Sequence, residues 1–195
     1  MRKYAVIAGS LMMFGMTAAA QEAAETPKVE FGLNYSYERL NPGGALSSYN
    51  ANGGFGYAQY NFTKALGFVA DLGANYAGNA NGVPLGNTTF EYLFGPRFTW
   101  RHSRFSPYVQ TLFGGERYTN GLNPGSSLPL LQNSQNNFAA AFGVGLDVTV
   151  TQHFAVKPFQ VDYLMTQFAP GGGVATTVGN NFRYSTGIVF RLGSK

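Results

Sequence analysis

The chain has 195 residues, a formal net charge of +4, 45% hydrophobic residues and no cysteine. This length allows one or at most two domains, the hydrophobic content excludes a disordered chain, and the lack of cysteine excludes disulfides and thiolate metal sites. Only 11% of the residues are charged, against roughly 25% in an ordinary soluble domain, so we expect much of the surface to face a solvent other than water.

Residues 1–20 have the features of a secretory signal peptide. Arg2 and Lys3 precede an apolar stretch, and the small residues Ala18 and Ala20 stand at the spacing of a cleavage site. The stretch is shorter than the roughly 20 residues of a spanning helix, which disfavours a membrane anchor. We predict cleavage after Ala20, which leaves a net charge of about +2 and gives no reason to expect nucleic acid as a partner.

Four segments in the first half of the mature chain alternate large apolar residues with small or polar ones. A period of two places these two sets on opposite faces of a β-strand. The alternation is regular in 29–39 and 65–76, and clearest in 89–101, where five aromatic residues oppose Glu91 and three arginine or threonine residues. In 50–62 small residues leave the two faces undecided.

The second half contains four further segments of this kind. They are 105–118, 137–150, 157–167 and 182–193. The last is typical of the set, because Phe182, Tyr184, Ile188, Phe190 and Leu192 share one face while two arginines stand on the other. The total is eight predicted strands.

The connections between these strands alternate strictly in length. Short turns at 61–64, 102–104 and 151–153 alternate with longer segments rich in Gly, Pro, Asn and Ser. Tight turns at one end and long loops at the other are typical of bacterial outer-membrane barrels, whose closure pairs every backbone group within the bilayer. We therefore predict an all-β fold, an eight-stranded antiparallel transmembrane up-and-down β-barrel, with a signal peptide at 1–20, a short tail at 21–27 and the barrel at 28–195.

Alternation alone does not tell which face looks outward, because a soluble barrel with an apolar interior has the same period. The polar face of these strands carries mainly small residues and few charges, which is unlike a water-exposed surface. Aromatic residues also cluster near strand ends, as in the girdles of membrane barrels. Together with the signal peptide, this favours an apolar face toward lipid.

Three runs carry a resemblance to a known family: YNFTKALGFVADLGANY, GPRFTWRHSRFSPYVQTLFGG and RYSTGIVFRLG. With the signal peptide and the eight alternating strands, they resemble the outer-membrane β-barrel domain family related to the OmpA and OmpX barrels. The resemblance implies the bacterial outer membrane as location, contact with its lipid and lipopolysaccharide, insertion by the barrel assembly machinery, and a monomer. One departure is that such barrels typically finish on an aromatic residue, whereas Phe190 is followed by Arg-Leu-Gly-Ser-Lys.

The strand period assigns eleven charged residues to the inner face. An eight-stranded barrel is barely wide enough for its own side chains, so we expect a structural network of ion pairs and hydrogen bonds. The alternatives are a narrow, porin-like path for ions or very small solutes and an inner ligand site. The predicted interior polar network is Asp71, Glu91, Arg97, Glu116, Asp147, Asp162, Arg183 and Arg191, joined by Glu30, Glu38 and Arg101, with Asp71, Glu91, Arg97 and Arg183 in the central layer.

We predict no catalytic residue, metal site or cofactor. His102 and His153 both fall in predicted periplasmic turns, so a Ser-His-acid arrangement at the outer rim would lack its base. The outer loops lack charged residues but contain one apolar patch, which we expect either to cover the barrel mouth or to contact an extracellular partner. This patch consists of Leu128, Pro129, Leu130 and Leu131.

Overall fold

The computed structural model describes residues 26–41, 48–79, 85–122, 134–168 and 177–194. No described residue lies in a helix long and apolar enough to cross a membrane. The strands are β1 (Pro27–Leu40), β2 (Tyr49–Asn61), β3 (Leu66–Ala77), β4 (Leu85–Thr99), β5 (Phe105–Leu122), β6 (Ser134–Thr151), β7 (Phe154–Phe168) and β8 (Thr177–Ser194).

The eight strands form one closed barrel in which each strand pairs with its neighbours in chain order. All pairings are antiparallel, and β8 closes the barrel on β1 from Pro27 opposite Ser194 to Arg39 opposite Phe182. The predicted number, order and direction of the strands are therefore those observed. Closure leaves none of the described strands as an edge, so their backbone donors and acceptors are paired within the sheet.

Large apolar side chains cover the outside of this barrel. Leu33 is 64% exposed and Leu72 is 59% exposed, and aromatic residues such as Phe105, Phe138 and Phe182 are about half exposed. The undecided faces of β2 are fixed by pairing with β1: Tyr57 lies opposite Gly32 and points inward, whereas Tyr60 lies opposite Val29 and points outward.

Six of the eight strands are longer than the alternation predicts, whereas β2 and β3 have the predicted lengths. β1 begins at Pro27, within the predicted tail, and β4 and β6 begin at Leu85 and Ser134 rather than at residues 89 and 137. The extra residues of β4 and β6 are uncharged and rich in Asn, Gly, Ser and Thr, which carry no hydrophobic alternation. They pair nevertheless, as at Leu85 opposite Leu122, because the neighbouring strand offers a continuous ladder.

A local irregularity in β7 reverses the expected direction of one charged side chain. Unbroken alternation places Lys157 outside with Phe159, but Lys157 is fully buried while Pro158 and Phe159 both face outward. The register between β7 and β8 shifts between Lys157 and Gln160. Proline has no amide hydrogen to donate, and such bulges are where strands accommodate it.

The interior also contains apolar layers between its polar groups. A central cluster consists of Phe55, Tyr57, Val69, Leu93, Leu112, Ala139, Ala141, Ala155, Leu164 and Val189. A second cluster, of Leu40, Ala51, Ala77 and Tyr118 with Tyr49 against it, lies at the end where the longer connections are. Small side chains on several strands leave room for the large polar ones of the others.

The close approach of Tyr57 to β1 gives a test of this packing. A Cβ at Gly32 would lie 2.0 Å from Tyr57 Cε1, whereas a Cβ at Gly56, on the outer face of β2, would have its nearest neighbour 3.6 Å away. We expect Gly32→Ala to lower the free energy of unfolding by about 1–3 kcal/mol, the usual cost of overpacking. Urea unfolding of detergent-refolded protein measures it, with Gly56→Ala as matched control; equal effects of the two would contradict the interior placement of Tyr57.

Candidate functional site

The interior of the barrel holds nearly all of the charged side chains of the strands. Every acidic residue that the structure describes is buried, together with four basic ones. The acids are Glu30, Glu38, Asp71, Glu91, Glu116, Asp147 and Asp162, and the bases are Arg97, Lys157, Arg183 and Arg191.

Arg183 is the centre of the largest ion-pair group. Its Nη1 donates to Glu91 Oε2 at 2.6 Å, its Nε to Asp162 Oδ2 at 3.0 Å and its Nη2 to Asp71 Oδ2 at 3.3 Å. All four side chains are fully buried, and the guanidinium carbon lies 4.3 Å from the Phe55 ring centre. One positive charge thus joins carboxylates from three other strands across the lumen.

Arg97 is held by amides and aromatic rings, without an acidic partner among the described residues. Its Nη1 donates to Gln59 Oε1 at 2.8 Å, and its Nε and Nη2 donate to Gln110 Oε1 at 2.9 and 2.6 Å. The guanidinium carbon lies 4.5 Å from the ring centre of Tyr57 and 4.3 Å from that of Tyr108. Cation–π contacts of this kind become stronger when both partners are removed from water.

Lys157 shares the same two aromatic rings. Its Nζ lies 4.3 Å from the Tyr57 ring centre and 5.1 Å from that of Tyr108, and donates to Gln160 Oε1 at 2.8 Å. Tyr108 donates its hydroxyl to the same oxygen at 2.6 Å. The ammonium group is therefore compensated by ring faces and an amide oxygen.

Asp162 connects the group around Arg97 and Lys157 to the ion-pair group around Arg183. Gln110 Nε2 donates to its Oδ1 at 2.9 Å and Gln160 Nε2 to its Oδ2 at 2.7 Å, while Arg183 donates to Oδ2 from the other side. A continuous chain of hydrogen bonds therefore runs from Arg97 through Asp162 to Arg183.

A further group lies at the end with the short turns and is joined to Arg97 through Gln59, whose Nε2 donates to Asn61 Oδ1 at 2.7 Å. Glu30 forms ion pairs with Arg191, at 3.2 Å, and with Arg101, and its Oε1 accepts from Asn61 Nδ2 at 2.8 Å. Arg191 Nη1 also donates to Thr149 Oγ1 at 2.7 Å. Asp147, on β6, is buried with its Oδ1 unpartnered among the described residues.

Glu116 lies at the opposite end, where Thr166 donates its hydroxyl to Oε2. The two histidines, His102 and His153, are exposed in the short connections after β4 and β6. The predicted outer-loop contact residues, Leu128, Pro129, Leu130 and Leu131, lie outside the described residues.

The predicted network omitted Lys157, Tyr57 and Tyr108, and also the amides of Gln59, Gln110 and Gln160. The available signal for Lys157 was Pro158, because bulges are one of the places where strands accommodate proline; the alternation of β4 nevertheless continues unbroken through Pro96. Tyrosine also occurs on the lipid-facing side of the strands, so residue type alone did not mark these two tyrosines as inward-facing. A glycine on the paired strand, Gly32 opposite Tyr57 and Gly145 opposite Tyr108, was the available signal for an inward ring.

A family model described as "Outer membrane protein beta-barrel domain" matches residues 6–193. The chain belongs to this family. The predicted family and fold class are therefore confirmed, and the family places the protein in the bacterial outer membrane, with the apolar outer face toward lipid. No curated protein sequence matches the chain significantly.

Solved structures with the same fold have distant sequences. Neisserial surface protein A superimposes with a TM-score of 0.63 at 12% identity, covering 85% of this chain and 97% of that one. OprG from Pseudomonas aeruginosa gives a TM-score of 0.55 at 15% identity, covering 89% and 100%. The attachment invasion locus protein Ail of Yersinia pestis, in complex with a heparin analogue, gives 0.51 at 16%, covering 84% and 99%. At this identity the likeness establishes the fold alone.

The shared role of Arg183 gives the second prediction. Arg183→Met removes the charge at similar length and leaves Asp71, Glu91 and Asp162 without their common partner, so we expect a loss of about 3–5 kcal/mol in the free energy of unfolding. The exposed Arg39, which contacts Asn50 on β2, serves as control, since Arg39→Met is expected to change stability by less than about 0.5 kcal/mol. Urea titrations in detergent measure both; an Arg183→Met barrel as stable as wild type would refute the bridging role.

Proposed function

We propose that the protein is a closed, non-enzymatic scaffold of the outer membrane that presents its outer connections to the environment. The observation that carries the proposal is the cross-lumen network in which Arg97 and Arg183, both at most 1% exposed, are joined through Asp162. In this proposal the interior polar residues seal the lumen, and the outer face fixes the depth of the barrel in lipid and lipopolysaccharide.

The energetics of the network support a sealed lumen. Opening a path would separate buried charges from their partners, and each broken pair costs several kcal/mol. The apolar cluster around Leu93 and Leu112 lies between the polar groups, where it offers an ion no hydrogen-bond partner. A narrow porin-like pore is the alternative, because polar side chains are present at both ends of the lumen.

The outer connections are the proposed contact surface. Residues 42–47, 80–84, 123–133 and 169–176 contain no charged residue, so we propose an uncharged partner surface reached in part through Leu128, Pro129, Leu130 and Leu131. A polyanion such as the heparin analogue bound to Ail lacks a basic counterpart in these segments. Loops on a rigid scaffold commonly carry such contacts.

The maturation steps belong to the same proposal. Residues 1–20 would be removed after export with cleavage after Ala20, residues 21–27 would form a short tail, and residues 28–195 would be inserted as a monomeric barrel by the barrel assembly machinery. A non-enzymatic role is supported by the placement of His102 and His153 at the short-turn end, away from the rim that faces the environment.

Conductance tests the sealed lumen. We expect refolded wild-type protein in a planar bilayer to give no steady current at low voltage, and we expect Arg97→Ala, which removes the group held between two rings and two amides, to give discrete steps. Phe98→Ala, on the adjacent outward position of β4, is the matched control and should stay silent. Steady, ohmic current steps from the wild-type protein would contradict the sealed scaffold and favour the narrow pore.

Depth in the membrane is tested at Leu72, which lies in the middle of β3 and is 59% exposed. A basic residue on the lipid face near the bilayer midplane costs about 2–4 kcal/mol, so Leu72→Arg is expected to reduce folding into lipid vesicles by about that free energy. Leu72→Ala, which removes side-chain volume without adding charge, is the control. If the two variants fold equally well, residue 72 does not face the hydrocarbon.

A further inference from the structure

Three glutamates meet inside the barrel near the end with the long connections. Glu38 lies near the end of β1, Glu91 in the middle of β4 and Glu116 in the second half of β5. One carboxylate oxygen from each lies within 4.8 Å of the other two. Each residue is at most 2% exposed, so the three carboxyl groups lie together with little access to bulk water.

The hydrogen bonds of this group are incomplete. Asn75 Nδ2 donates to Glu38 Oε2 at 3.1 Å and to Glu91 Oε1 at 2.9 Å, and Thr166 donates to Glu116 Oε2. Glu38 Oε1 and Glu116 Oε1 are buried without a hydrogen-bond partner among the described residues. Buried carboxylate oxygens are costly unless a donor or a cation compensates them.

The hydrogen bonding of a neutral side chain beside the three glutamates is also incomplete. Asn137 lies directly opposite Glu116 on β6, is 6% exposed, and its Nδ2 has no partner in the described part of the chain. The two ends of an amide are exchanged by a half-turn of the side chain. Turned in this way, the side chain presents its amide oxygen in place of Nδ2, and an amide oxygen is a ligand atom for a cation.

The chain supplies no matching positive charge at this end. Arg183 is the base that pairs with Glu91, and it is already shared with Asp71 and Asp162. In the described strands, Arg39 and Arg117 lie near the glutamates in sequence but face outward. The outer connections contain no Lys, Arg or His at 42–47, 80–84, 123–133 or 169–176, so the loops offer none either.

We propose that Glu38, Glu91 and Glu116 bind a hard divalent cation of the Ca²⁺ type inside the outer half of the barrel. All the available donors are oxygens, which Ca²⁺ prefers, and oxygens on opposite sides of a bound Ca²⁺ stand about 4.8 Å apart. Mg²⁺ fits less well, because it holds its ligands at about 2.0–2.1 Å in strict octahedral geometry. The site is independent of whether the lumen conducts; it shares Glu91 with the Arg183 group and lies on the side of that group nearer the outer apolar cluster of Leu40, Ala51, Ala77 and Tyr118.

Ca²⁺ titration of the protein refolded in uncharged detergent tests the site. We expect one Ca²⁺ per barrel by calorimetry, a Ca²⁺-dependent rise in the unfolding midpoint, and a weaker response to Mg²⁺. Glu38→Gln and Glu116→Gln preserve shape and remove charge, and each should weaken Ca²⁺ binding roughly tenfold or more, because affinity follows the charge of the ligand set. Ca²⁺ is added both before and after refolding, so that slow entry to the buried glutamates is not mistaken for lack of binding.

The control variant is Glu22→Gln/Glu25→Gln, which removes the two acidic residues that precede β1 in the sequence and should leave Ca²⁺ binding intact. Tb³⁺ luminescence excited through Tyr49 and Tyr118 provides a second readout that needs no variant. If wild-type protein binds no Ca²⁺ under either protocol and gives no Tb³⁺ signal, the proposal is overturned and protons neutralise the group. Retention of full Ca²⁺ affinity in both glutamine variants, or tighter binding of Mg²⁺ than of Ca²⁺, would overturn it as well.

Discussion

Backbone hydrogen bonding in lipid is the constraint on which the rest of this structure depends. A sheet satisfies it only by closing, as β8 does on β1, and closure with a period of two sends half of all strand side chains into the lumen. Eight strands leave a lumen barely wider than those side chains. Every polar group placed there must therefore find its partner within the chain or in a bound ion, because little water is available to replace one.

The interior meets this demand unequally along its length. Toward the short turns, Glu30 has two arginine partners and an asparagine. In the middle, Arg97 and Lys157 are compensated by the rings of Tyr57 and Tyr108 and by glutamine oxygens. Toward the long connections, one guanidinium serves three carboxylates. At that end the buried acids outnumber the buried bases, so the side chains of the barrel do not neutralise one another.

The strand period was enough to predict the barrel, because the strands alternate between apolar and small or polar residues and a sheet in lipid must close. It placed Arg183 and Asp162 on one face but gave no means of knowing that they touch, since contact depends on the stagger between strands. Lys157 was lost at a bulge, where Pro158 breaks the period. The three glutamates of the proposed cation site could not be brought together from the sequence for the same reason: Glu38, Glu91 and Glu116 lie on three strands, and only the register between those strands brings them within 4.8 Å.

Acidic and basic side chains are distributed unequally between the lumen and the outer surface of the barrel. The barrel places all its described acids inside, while exposed Lys28, Arg39, Lys64 and Arg117 remain outside, near the strand ends. An outer face without carboxylates does not repel the phosphates of lipid and lipopolysaccharide, and basic groups near the interfaces attract them. The same segregation concentrates negative charge in the lumen, where it must be paired. The buried side chains therefore include seven acids against four bases, and this imbalance holds whether or not the outer connections have a partner.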